Sequence, residues 1–406
     1  MKKLILLSLI FLFVGCPPTA KNSVKIYLQR QEYESAKEQV LIGLKDYPND
    51  YELYCLLAKA EIGLANWGAA SKSLQDAFKI DSMKTINWLV KDKENVSVYW
   101  QTFYNAAFAF SSERKFDEAL INLKYAKKID PNDVSQHILE GAIYGELGNI
   151  ELANKAYEKA LSIDPENPEA YYLIGKSLYE KRLFDSSLVY FSDAIKHFET
   201  KYVRIEKVIF QNLPEPDKEL KHEINKLWIE KKNDELDQLV KVKLGFDGGL
   251  DKHRRNIENF FKTTEGLAQS YYLLGMAYYR LKEDSLAFKN LLESLDLLPE
   301  DLDALYFTGE ILLIKFNKYQ EALGYFDKII QLKDDDIPAW FYLGACYLQL
   351  KNYKKAIDIY ENKILVLDPK NTGAYQMLGE AYRAMGNSKK AYEYFMKAEE
   401  LQKEQK

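Results

Sequence analysis

The sequence predicts an all-α fold, a right-handed superhelical solenoid of about nine stacked helix-turn-helix units, on three observations. Residue patterns recur at a fixed spacing of 34, from Gly141 to Gly175 and from Pro131 to Pro165. The stretch 134–165 reads as two short amphipathic helices: one carries Gly141 and Tyr144, the chain turns at Gly148-Asn149, and the second carries Ala153, Tyr157 and Ala160. Proline and glycine are scarce, 11 and 19 in 406 residues, as a helical chain requires. A unit of two short helices cannot cover its own apolar face, so such units stack.

The chain opens with a targeting pattern, residues 1–15. Lys2 and Lys3 precede an apolar run, Leu4 to Val14, too short to span a bilayer. Cys16 follows Gly15 directly, and Pro17-Pro18 come next. This arrangement resembles the bacterial lipoprotein signal, which implies lipidation of Cys16 after cleavage. An ordinary secretory peptide and an uncleaved anchor are the alternatives. Several acyl chains give durable attachment, so the expected address is the bacterial cell envelope, at a membrane surface facing the periplasm or cell exterior.

Small residues recur inside the helix pairs. One set is Ala58, Ala107, Gly141, Gly175, Gly275, Gly309, Gly344 and Gly379; a second is Ala36, Ala70, Ala119, Ala153, Ala287, Ala322, Ala356 and Ala391, with Ser187 as a departure. Pro48, Pro131, Pro165, Pro299 and Pro369 close five units. Small residues let paired helices approach, and proline stops the second one. These positions resemble the tetratricopeptide repeat family. Five repeats are expected in residues 16–200, the first with Val24 at a small-residue position, and four in residues 266–406. A short irregular piece with Trp88 is expected at about 86–98. From Gly309 to Gly344 to Gly379 the spacing is 35, so two repeats each carry an extra residue.

Residues 201–265 interrupt the period. Pro214 and Pro216 break the first part, Asp217 to Leu244 reads as one long helix, and a further short helix runs from Leu250 to Phe261. Charge in this insertion is nearly balanced. The favoured reading is a degenerate repeat that keeps the stack continuous; a projecting arm and a hinge are the others.

Motifs for chemistry do not assemble. His137, His197, His222 and His253 never fall at metal-ligand spacing, and the glycine run 245–249 lacks the Lys-Ser/Thr of a phosphate loop. Asp334-Asp335-Asp336 precedes a helix and fits capping. Cys55 and Cys346 fall within helix patterns as small core residues. The expectation is a chain with no enzyme activity, no cofactor and no metal. Net charge is −5, or −7 once Lys2 and Lys3 are removed, which argues against nucleic acid as a partner.

The family resemblance implies a concave face built from the first helix of each repeat, receiving a peptide or partner helix. Its expected lining is Tyr104, Asn105 and Phe108; Tyr172, Lys176 and Tyr179; Tyr272, Met276 and Tyr279; Phe307; and Phe341 with Tyr342. Tyrosine is abundant, 30 residues, and offers large contact area with a hydroxyl for the partner's backbone. The expected function is a protein-protein interaction scaffold held to the envelope by lipid. The alternatives are a self-associating structural protein, or an accessory that binds a small ligand or glycan on the tyrosines.

Overall fold

The structure is a computed structural model that describes residues 18–213 and 218–404. The targeting segment with Cys16, and Pro214, Pro216 and Asp217, lie outside the described residues. Every regular element among the described residues is a helix, and the chain divides into two compact units, residues 1–165 and 166–406.

In the first unit α1 (Pro18–Gln29) pairs with α2 (Tyr33–Asp46), and α3 (Tyr51–Gly63) with α4 (Trp67–Ile80). Next come α5 (Ser82–Lys91), the pair α6 (Val96–Ser112) and α7 (Phe116–Ile129), and the pair α8 (Val134–Glu146) and α9 (Ile150–Ile163). Helix α5 corrects the expectation of an irregular piece. Asp81 caps it by accepting from the Lys84 amide at 3.0 Å, and Leu89 is fully buried. Trp88 lies 6.0 Å from Tyr99, so this extra helix packs into the stack beside α6. It carries no small-residue pattern, which is why the period passed over it.

The second unit holds α10 (Pro168–Glu180) with α11 (Phe184–Ile209), α12 (Lys218–Ile229) with α13 (Asn233–Val242), and α14 (Gly249–Arg280) with α15 (Asp284–Leu297). Then follow α16 (Leu302–Glu310), a π-helical turn at Ile311–Lys315, and α17 (Tyr319–Leu332). Helix α18 (Ile337–Gln349) pairs with α19 (Tyr353–Ile359), which continues through a π-helical turn at Tyr360–Ile364 into α20 (Leu365–Leu367). The last pair is α21 (Thr372–Ala384) and α22 (Ser388–Glu404). The two π-turns absorb the extra residues behind the spacing of 35. One falls between Gly309 and Ala322, the other after Ala356, and each keeps the buried stripe in register past the insertion.

A left-handed residue closes each helical hairpin: Gln31, Ala65, Arg114, Gly148, Arg182, Lys231, Lys282, Asn317, Lys351 and Gly386. Lys231 belongs to the insertion, and its turn reproduces the pattern of its neighbours. The Lys232 amide donates to the Leu227 carbonyl at 3.0 Å, as Leu183 does to Leu178. The insertion is therefore not one long helix but a hairpin, α12–α13, closed like a repeat. Ile224 and Leu236 stand seven residues before and five after Lys231, where repeats place small residues, and both are fully buried.

The flanking helices also differ from expectation. Helix α11 runs 26 residues, past the expected boundary at 200, and α14 runs 32 residues without a break between 261 and 266. The two pack along each other, so the stack passes directly from repeat five to repeat six. The hairpin α12–α13 sits on their prolonged ends through Ile209, Phe210, Ile224, Leu236, Ile257 and Phe260.

Candidate functional site

In the second unit the expected face falls on the first helices of successive pairs, here α10, α14, α16 and α18. On α10, Tyr172, Lys176 and Tyr179 follow one another at four and three residues, which places them on one stripe. Tyr172 is half-buried, its ring 6.3 Å from Phe191, and its hydroxyl donates to Gln269 on α14 at 3.0 Å. Burial, with Glu265 and Glu180 nearby, pushes this phenol up to about 12. Tyr179 packs 5.2 Å from Phe184, and the exposed Arg280 of α14 donates from Nε to its hydroxyl at 3.4 Å. Lys176, between the two tyrosines, is exposed.

On α14, Tyr272 and Tyr279 lie 6.2 and 6.1 Å from Phe307 of α16, which is wedged between them. The Tyr279 hydroxyl donates to Glu310 at 2.9 Å, and Lys315 lies over its ring at 5.5 Å. Burial first, then that carboxylate, push the Tyr279 phenol up to about 12. On α16 and α18, Tyr306 donates to Asp336, the cap of α18, and Tyr342 stacks on Phe326 at 5.0 Å. Phe341 meets Tyr360 edge-on at 5.7 Å. These half-buried rings pack within a pair, as Phe341 does on Tyr360, or between neighbouring pairs, as Tyr272 and Tyr279 do on Phe307.

Met276 is a correction. It is 3% exposed and takes no part in an accessible face. Helices α10, α11 and α15 all pack on α14.

In the first unit Tyr104 is half-buried and stacks on Trp100 at 5.0 Å, while Asn105 and Phe108 are exposed. The sequence reading missed the larger feature of this unit, a cleft of about 650 Å³ lined by Lys25, Gln29, Lys59, Trp88 and Tyr99. Lys59 reaches Asp92 at 2.5 Å and lies over Trp88 at 5.5 Å. Burial pushes the Asp92 carboxyl up, but hydrogen bonds from Lys59, Tyr99 and Asn95 outweigh it and hold the group below its ordinary range. Recognition of α5 as a helix would have pointed to this cleft, because α5 supplies Trp88.

The charged residues outside these faces are structural. Asp336 accepts from the Ala339 amide at 3.0 Å, the capping role expected of the Asp334–Asp336 run. Cys55 and Cys346 are fully buried free thiols. Burial pushes both above the ordinary thiol value, Cys346 up to about 12.

Four family models match: a TPR repeat over residues 141–181, and tetratricopeptide repeats over residues 284–337, 313–362 and 372–405. Among curated proteins the chain is 24% identical over 200 residues to Hsp70-Hsp90 organizing protein 3 of Arabidopsis thaliana, covering 43% of this chain and 36% of that one. It is 26% identical over 200 residues to Hsp70-Hsp90 organizing protein 1 of Glycine max, covering 43% and 35%. The chain thus spans about a third of the length of these relatives. Among solved structures, Pseudomonas aeruginosa pilF is 13% identical with a TM-score of 0.47, covering 70% of this chain and 99% of that one. YrrB, a TPR protein with an unusual peptide-binding site, is 17% identical with a TM-score of 0.40, covering 62% and 95%. The small-residue positions, the hairpins they pack and the four matched models agree: the chain is a tetratricopeptide repeat protein, built of the repeats that serve as scaffolds for protein-protein interaction.

Proposed function

We propose that this protein is a non-catalytic scaffold, held at the bacterial envelope by lipid on Cys16, that receives a peptide or envelope-protein segment on the inner face of its second unit. One observation carries the reading of the face: Lys176 and Arg280 stand exposed around the half-buried Tyr179, with Arg280 reaching its hydroxyl at 3.4 Å. A guanidinium has five donors in a fixed fork, and Arg280 spends one on Tyr179. Beside it, tyrosine edges already immobilised between repeats offer contact area at little further entropic cost. Such a surface favours an extended segment with an acidic side chain or carbonyl groups to accept from Lys176 and Arg280. The anchor rests on Lys2, Lys3, the apolar run and Gly15-Cys16.

The test places a photo-crosslinking amino acid at Lys176, and at Lys354 as a remote control, in cells that retain the native envelope. The expected result is one envelope-protein adduct from position 176, absent from position 354 and lost when Arg280→Glu is added. Adducts only between copies of this chain would replace the scaffold reading with self-association. For the anchor, Cys16→Ala is expected to move the protein from the membrane fraction to the soluble one; unchanged membrane retention would remove the lipid from the account.

A further inference from the structure

The insertion hairpin leaves a cleft of about 620 Å³ between α12, the start of the repeat-six region of α14, and the turn from α15 into α16. That volume falls within the range of small-ligand and peptide-anchor sites. Its apolar walls are Leu298, Pro299 and Leu302 on one side and Ile229 on the other, with Leu332 at the rim. Ile229 and Leu332 are 56% and 40% exposed.

The polar groups divide into satisfied and unsatisfied sets. Lys226 donates to Glu300 at 2.8 Å, and His222 Nε2 lies 2.7 Å from the Asp296 carbonyl, so these two tie α12 to the α15 end. Asn225 is different. Its side chain is 2% exposed, lines the cleft, and its Oδ1 has no hydrogen-bond partner. A buried amide oxygen left unpaired is costly, and each such group in a native protein calls for a partner supplied from elsewhere. Glu265, on the opposite wall, makes no hydrogen bond or ion pair among the described residues, and burial pushes its carboxyl above the ordinary value. Asp301, also in the lining, is likewise pushed up by burial while it caps α16 through the Ala304 amide at 2.9 Å. One half-buried carboxyl without a hydrogen bond, Glu265, and one unpaired amide oxygen, on Asn225, suit a donor that carries positive charge.

We propose that this cleft binds a lysine or arginine side chain flanked by apolar residues on a partner's polypeptide, with the cation between Asn225 and Glu265 and the apolar neighbours against Leu298, Leu302 and Ile229. A protein segment is the occupant because the cleft is continuous with the inner face: Gln269, in its lining, is the residue that accepts from Tyr172. The inference rests on the reading that the second unit binds protein segments, but it uses separate residues.

The test titrates the full chain with acetyl-Leu-Lys-Leu-amide, acetyl-Leu-Glu-Leu-amide and octylamine by calorimetry. The lysine peptide is expected to bind and the glutamate peptide not. Asn225→Leu and Glu265→Gln are each expected to weaken the lysine peptide about tenfold or more, as loss of a charge-assisted hydrogen bond does. Circular dichroism melts check that both variants remain folded, and Asn225→Leu should melt no lower than wild type because it removes an unpaired amide. Arg280→Glu should leave this binding intact. Absence of binding by the lysine peptide, equal binding of the glutamate peptide, or binding of octylamine alone overturns the proposal. So does loss of binding in Arg280→Glu, which would put the peptide on the inner face. If the cleft fails while the Lys176 crosslink persists, only this inference falls.

Discussion

Gly175 of α10 faces the ring of Phe191 of α11 so closely that a Cβ on the glycine would lie 2.8 Å from Cδ1 of the phenylalanine. The same pairing, a glycine on the first helix and an aromatic ring on the second, recurs at Gly309 with Phe326 and at Gly344 with Tyr360. Phe191, Phe326 and Tyr360 are fully buried. The ring occupies the space the missing side chain vacates, and this sets how closely the paired helices approach.

Gly175→Ala is therefore expected to destabilise the protein by about 1–3 kcal/mol, the usual cost of overpacking a filled interior. Phe191→Ala should cost about 3–5 kcal/mol through the cavity it leaves. The two residues touch, so the double variant should depart from the sum of the singles. Urea denaturation followed by circular dichroism measures all three; additive effects would show that the contact does not set the helix spacing.

Lys231 and Lys282 hold φ values of 56° and 65° without being glycine. A left-handed conformation costs a residue with a Cβ about 1–2 kcal/mol, against which glycine pays a larger entropy on folding. Lys282→Gly should accordingly raise stability by about 0.5–1 kcal/mol. Lys231→Gly should do the same for the insertion hairpin, read as slower amide exchange in α12 and α13.

Asp336 caps α18 and also accepts from Tyr306 and Lys333. Burial alone pushes its carboxyl up, but these bonds together hold it below the ordinary aspartate value. A depressed folded pKa gives stability that is complete above the unfolded value, near 4, and is lost as pH falls through the folded one. Asp336→Ala should cost about 1–2 kcal/mol at pH 7. The difference from wild type should shrink as pH falls below about 4. A constant difference as pH is lowered would mean the carboxylate charge contributes nothing.

Cys55 and Cys346 are buried and their thiols are pushed up, so the reactive thiolate is scarce at neutral pH. A Cys16→Ala chain should give no rapid reaction with a disulfide reagent while folded. It should give two reacting thiols once unfolded in guanidinium. Fast labelling of the native protein would show that a helix pair opens locally.

Much of the architecture could be read from small residues, because Gly or Ala at a helix crossing is a packing requirement independent of context. Gly141, Gly175 and Ala153 thus marked hairpins, and the spacing of 35 marked two repeats with an extra residue, though not that a π-turn would absorb it. The same logic failed where it had no small residue to use. Helix α5 carries Thr85, Trp88 and Leu89 on its buried side, and α12–α13 carry Ile224 and Leu236, so neither registered as part of the array. The turn at Lys231 was hidden too, since lysine in a left-handed conformation carries no local signal and continuous helix former on both sides reads as one helix.

The face was legible by position but not by exposure. The family resemblance implied Tyr172, Tyr179, Tyr272 and Tyr279 for that face, and each of the four is half-buried. Which part of each ring is used up between repeats depended on partners far away in sequence: Gln269 for Tyr172, Phe307 for Tyr272, Glu310 for Tyr279. Met276 shares their stripe on α14 and is buried all the same.

What the sequence determined alone is what local chain chemistry enforces: helices, the small residues that let them pair, the caps that end them, and the lipoprotein-like pattern before Cys16. Tertiary structure alone decided the burial of Met276, the direct packing of α11 on α14, and the cleft that leaves Asn225 unpaired. Each of these depends on side chains tens of residues apart converging on one point, and no local pattern encodes that convergence.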